Sequence, residues 1–121
     1  MRLIHTKSLT LKEFFDSLVP DYIILSHIWG RDELSYTDMQ ARNLDYTAKE
    51  SYNKIKLSCN QALPDGHDYI WIDTCCIDKS SSTELSEAIN SISKWYRDSD
   101  ICYVFLEGYE ANLEQLADPD I

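Results

Sequence analysis

At 121 residues the chain is long enough for one domain with one hydrophobic core and too short for two. Its composition, 44% hydrophobic and 12% aromatic, is that of a globular protein and not of a disordered segment. The balance of 11 basic against 21 acidic residues gives a formal charge of -10, a field that repels phosphate backbones and anionic lipid and excludes nucleic acid as an expected partner.

In chain order, Met1-Arg2-Leu3-Ile4-His5-Thr6-Lys7 is too polar for a signal peptide, and Leu3 and Ile4 suit a short edge strand. Thr10-Leu11-Lys12-Glu13 fits a capping box ahead of Phe14, Phe15 and Leu18, which predicts a helix of under three turns ended by Pro20. Tyr22-Ile23-Ile24-Leu25 is a continuous apolar run, the pattern of a central strand covered on both faces. Residues 33–39 alternate weakly and suit a short strand or an irregular connection. From Asp45 onward Tyr52, Ile55, Cys59, Ala62 and Leu63 recur at helical spacing, with Lys49, Glu50, Lys54 and Lys56 on the other face, until Pro64-Asp65-Gly66 stops the helix.

Residues 69–74 then read as a strand and 75–82 as a loop. A helix follows, capped by Ser81-Ser82-Thr83-Glu84, with Leu85, Ile89, Ile92 and Tyr96 as its apolar stripe. Ile101-Cys102-Tyr103-Val104-Phe105-Leu106 is a third apolar strand, and the acidic last dozen residues are weakly patterned. The resulting β-α-β-α-β order predicts an α/β fold, an open, mostly parallel sheet with flanking helices in a single domain over residues 1–121. No apolar run approaches the roughly 20 residues that span a bilayer, so a cytoplasmic protein is expected. The four cysteines show neither an extracellular framework nor Cys-x-x-Cys spacing, which favours reduced thiols and no metal site.

The chain has no P-loop, no dinucleotide fingerprint and no nucleophile elbow. Two polar loops at the carboxyl ends of strands remain, and neighbouring parallel strands would bring them into one crevice. The first supplies Ser26, His27, Trp29, Gly30 and Arg31; the second supplies Asp73, Asp78 and Lys79. Each has a bland reading beside the functional one: His27 as a hydrogen-bonded loop histidine, Trp29 as a core aromatic, Asp73 as an acceptor of loop N–H groups. Asp73 can equally bind a ribose hydroxyl or act as a base, and Glu84 can be a catalytic carboxylate or a helix cap. Cys76 is a nucleophile only with a lowered pKa, and a buried structural thiol is the simpler reading.

Tyr-Ile-Ile-Leu-Ser-His-Ile-Trp-Gly at 22–30 resembles the first signature of the fungal heterokaryon-incompatibility (HET) domain. Tyr-Ile-Trp-Ile-Asp-Thr-Cys-Cys-Ile-Asp-Lys at 69–79, continuing to Ser91, with Trp-Tyr-Arg-Asp-Ser-Asp-Ile-Cys-Tyr-Val-Phe-Leu at 95–106, is similar to its second. The resemblance implies a signalling or interaction role in fungal non-self recognition and programmed cell death, through self-association or pairing with a longer HET-domain protein. It also implies kinship with TIR domains, hence a flavodoxin-like three-layer arrangement and, in some relatives, cleavage of NAD. The family pattern continues to a segment resembling Arg-x-Trp-Thr-x-Gln-Glu that these 121 residues do not hold. By that resemblance the domain is C-terminally incomplete and catalytically incomplete, and one side of residues 102–106 should be bare. No cofactor is required on this reading; NAD is the substrate of the alternative, a glycohydrolase using Glu84 or Asp73, and a generic nucleotide-binding α/β domain is the third.

Overall fold

Leu3 and Ile4, both fully buried, lie in strand β1 (Arg2–His5), which turns back through a hairpin into β2 (Leu11–Glu13). The structure is a computed structural model that describes residues 1–27, 33–41 and 50–105. Strand β3 (Ile23–His27) leads to helices α1 (Tyr36–Ala41) and α2 (Glu50–Ala62), then β4 (Tyr69–Ile72), the one-turn helix α3 (Asp73–Cys76), α4 (Ser82–Asp98) and β5 (Ile101–Phe105). The strands form one sheet in the order β2-β1-β4-β3-β5.

The α/β class holds, but the sheet is mixed where a mostly parallel one was expected. Strands β4, β3 and β5 run parallel, whereas β1 pairs antiparallel with both β2 and β4. The cause is the first hairpin: Leu9 takes a positive φ of 56°, and His5 N–H donates to the Thr10 carbonyl at 2.8 Å, closing a tight turn. That hairpin replaces the helix expected over 10–18, of which only a 3-10 turn at Asp16–Leu18 remains. Phe14 packs edge-on against Tyr69 with ring centroids 5.0 Å apart. An isolated helix of under three turns is marginal and yields to such packing. Strand β1 is accordingly interior, and β2 takes the edge position expected for it.

Strand β3 lies between β4 and β5, the central place its unbroken apolar run predicts. Register pairs Ile23 with Ile70 and Ile101, and Leu25 with Ile72 and Tyr103, so these residues share one face with His27 and Phe105. Helix α2 covers that face, where Lys54 reaches His27. Helix α4 covers the other, where Trp95 stacks obliquely on Trp71 with centroids 5.6 Å apart. On α4 the inward stripe is Leu85, Ala88, Ile92 and Trp95; Ile89, expected in the core, is 67% exposed, and Tyr96 is partly so. Strand β5 alternates instead of being buried throughout, with Cys102 and Val104 exposed on the α4 side.

The stretch 33–39, read as strand or irregular chain, instead runs into helix α1 from Tyr36, because Ser35 and Asp38 cap each other. Asp38 N–H donates to Ser35 Oγ at 3.1 Å, and Ser35 N–H to Asp38 Oδ2 at 3.0 Å. Among the described residues, no helix is long and apolar enough to cross a membrane.

Candidate functional site

A strand ending in Ser-His and a neighbouring parallel strand ending in Asp place those side chains at one edge of the sheet. Strand β3 finishes at His27, and α3 begins at Asp73 directly after β4. His27 Nε2 and Asp73 Oδ1 are 3.0 Å apart. Lys54 Nζ from α2 lies 2.9 Å from His27 Nδ1 and 2.9 Å from Glu33 Oε2, and 5.6 Å from the Phe105 ring centroid. A lysine ammonium only donates, so Nδ1 accepts, the ring proton sits on Nε2, and His27 donates to Asp73. Glu33, Lys54, His27 and Asp73 thereby form one chain of hydrogen bonds.

Exposure falls unevenly along that chain. The His27 side chain is 1% exposed and that of Asp73 is 27% exposed, so Asp73 is the member that meets solvent. Lys79, expected in the site, donates from Nζ to the Asp73 carbonyl at 2.7 Å. Ser26 faces the opposite side of the sheet, towards Tyr96; burial raises the Tyr96 pKa, and Ser26 acts in the lowering direction.

The other expected residues fall elsewhere. Asp78 accepts from Ser80 N–H at 3.1 Å and from Ser80 Oγ at 2.5 Å, an Asx-type turn leading into α4. Glu84 is bound by Arg2 and by the Asp78 N–H, and its own N–H donates to the N-cap Ser81. It lines a cavity of about 240 Å³ on the α4 side that neither His27 nor Asp73 lines. Trp29, Gly30 and Arg31 lie outside the described residues.

Lys54 and Glu33 are site residues that sequence reasoning did not single out. A signal existed for Lys54: Ser51, Lys54 and Ser58 fall at i, i+3 and i+7 beside the apolar stripe, and Ser51 and Ser58 are buried. Ser51 Oγ accepts from the Leu34 N–H at 2.6 Å, which fixes the residue after Glu33 against α2.

The thiols are structural. Cys59 is pushed up to about 12 by burial, with a further contribution from nearby Cys76. The Cys75 thiol is raised by its hydrogen bond to Cys76 and by burial. Cys76 is buried, with Sγ 3.3 Å from the Ile72 N–H, which suits a core thiol and not a nucleophile. Iodoacetamide at neutral pH is expected to label only the exposed Cys102 in the folded protein and all four cysteines in denaturant, read by intact mass. Rapid labelling of Cys75 or Cys76 in the folded protein would restore the nucleophile reading.

The sequence pattern of the Heterokaryon incompatibility protein (HET) family matches residues 22–120, a span that contains Ser26, His27, Lys54 and Asp73. The Vegetative incompatibility protein HET-E-1 of Podospora anserina is 50% identical over 97 residues, which is 78% of this chain and 7% of that protein. The chain thus spans a small fraction of that relative. No solved structure matches.

Proposed function

The chain belongs to the heterokaryon incompatibility (HET) family, and on that premise we propose that it is a signalling and interaction module of fungal non-self recognition and regulated cell death. In this reading it works in the cytoplasm, by self-association or by pairing with a longer HET-domain protein, and does not itself turn over a substrate. The observation that carries the reading is the match over residues 22–120, which takes in the whole hydrogen-bonded chain from Glu33 to Asp73.

A second reading, NAD binding or cleavage, draws on the position of that chain. The carboxyl ends of adjacent parallel strands are where open α/β sheets take nucleotides, and the partly exposed Asp73 carboxylate there supports a reading in which it accepts from a ribose hydroxyl. Helices on both sides of β4-β3-β5 support the flavodoxin-like and TIR-like kinship that goes with it, while β1 and β2 extend the sheet in a different sense. The bonds of Glu84 to Arg2 and to the Asp78 N–H favour a structural duty for it and weigh against hydrolysis through Glu84.

The two readings separate in one assay. Purified protein incubated with NAD is expected to release no nicotinamide, and neither Asp73→Ala nor Glu84→Ala should change that. Turnover by the wild type that disappears in Asp73→Ala would replace the first reading by a glycohydrolase working at the His27–Asp73 pair. Turnover lost only in Glu84→Ala would move the chemistry to the α4 cavity.

A further inference from the structure

Away from the His27–Asp73 pair, helix α4 and the segment 13–22 stand as two walls of one groove. Cavities of about 240 and 430 Å³ lie between them and share Met1, Phe15, Glu87 and Trp95, so they are two halves of a single depression. The walls are tied at both ends. Arg2, paired with Glu13 of the segment 13–22, bonds Glu84 at the start of α4, and the Tyr22 hydroxyl donates to the Trp95 carbonyl at 2.7 Å near the end of that helix. From Glu84 to Asp98 the helix rises about 21 Å, four turns of a helix laid alongside it.

The lining has two characters. Phe14, Val19 and Trp95 give an apolar floor, and Phe15 is 64% exposed with Leu18 beside it still more open. Glu13, Asp21 and Glu87 give an acidic border opposed by Lys94; Asp98 is paired with Arg97, and Arg2 with Glu84. Charge decides which occupant fits. A second copy of this chain brings a formal charge of -10. Residues 106–121 contain Glu107, Glu110, Glu114, Asp118 and Asp120 and no lysine or arginine. Either would set like charges against the acidic border, which is unfavourable.

We infer that the groove is a docking site for a cationic amphipathic helix of a protein partner. Apolar side chains spaced i, i+3 or i+4, and i+7 would pack on Phe14, Phe15 and Trp95, with flanking lysines or arginines facing Glu13, Asp21 and Glu87. The site is separate from the His27–Asp73 pair and does not depend on what that pair binds.

The test titrates the full chain with a fluorescently labelled helical Lys/Leu peptide of about four turns, and with its Glu/Leu counterpart of the same apolar pattern. The Lys/Leu peptide is expected to bind and the Glu/Leu peptide not to. Glu87→Lys and Phe15→Ser should each weaken binding about tenfold. Ile89→Ser, on an exposed part of α4 that lines neither cavity, should leave it unchanged. Phe15 and Glu87 are both exposed, so circular dichroism should show either variant folded. Equal binding of the two peptides, or binding indifferent to both groove substitutions, would overturn the proposal. So would a dimer in sedimentation that Phe15→Ser abolishes, which would make a second copy the occupant.

Discussion

Lys54→Met is expected to lower the stability of the fold by about 2 to 3 kcal/mol and to free the His27 ring from its single tautomer. The side chains of Lys54 and Glu33 are only 11% and 14% exposed, so their attraction is little screened. Removing the ammonium takes away the charge partner of Glu33 and the donor to a ring nitrogen of a histidine that is 1% exposed. A fully buried ion pair broken at one end costs roughly 3 to 5 kcal/mol, and the residual exposure here lowers that figure. Urea unfolding measures the loss, and ring ¹⁵N shifts of His27 report the tautomer. In the wild type they should show the proton on Nε2; in Lys54→Met, a mixture of the two neutral forms. A purely structural lysine would lower stability and leave the His27 tautomer as it was, which would sink the assignment of Lys54 as a positioning residue. Lys54→Arg keeps the charge, yet its planar, branched donor set fits a single ring nitrogen less well, so partial retention of the tautomer is expected.

Strands β3, β4 and β5 were legible because each is an uninterrupted apolar run: 22–25, 69–72 and 101–105 all fall in or against them. Where the reading failed, a nonlocal contact outweighed a local pattern. Thr10 to Glu13 matches a capping box, but Leu9 with its positive φ and the Phe14–Tyr69 ring contact commit that stretch to a hairpin edge. On α4, Ile89 and Trp95 both suit an apolar stripe. The choice between them depends on Trp71 of β4, whose ring needs a large partner across the layer. The site shows the same division. His27 and Asp73 could be found by position, each closing a strand of a parallel pair. Lys54 and Glu33 reach them through the β3-to-β4 crossover, 27 and 21 positions apart in the pairs they form, and a single sequence does not reveal that closure. Glu84 was ambiguous between cap and catalyst because both need a carboxylate at that place; Arg2, far away in sequence, gives it a structural partner.

Trp71→Ala is expected to cost about 3 to 5 kcal/mol, the largest single effect at any position considered. Trp71 is 1% exposed and lies on the face of β4 opposite Ile70 and Ile72. Its ring meets Trp95 at 5.6 Å and Tyr96 at 6.4 Å, so it is the main anchor of α4 on the sheet. Truncation removes the transfer energy of a large side chain and leaves a cavity that the sheet backbone cannot close. Against the 5 to 15 kcal/mol typical of such domains, that is about a fifth or more of the total stability. Because α4 and α2 share the same central strands, the loss should appear as one cooperative transition at lower denaturant, followed by circular dichroism. Two separated transitions would instead mean that α4 unfolds apart from the β3–β4 pair, and that the groove on one side and the His27–Asp73 pair on the other are energetically independent. Trp71→Phe, which keeps a ring against Trp95, should recover most of the difference; a cost below about 1 kcal/mol for Trp71→Ala would contradict the packing of α4 on this residue.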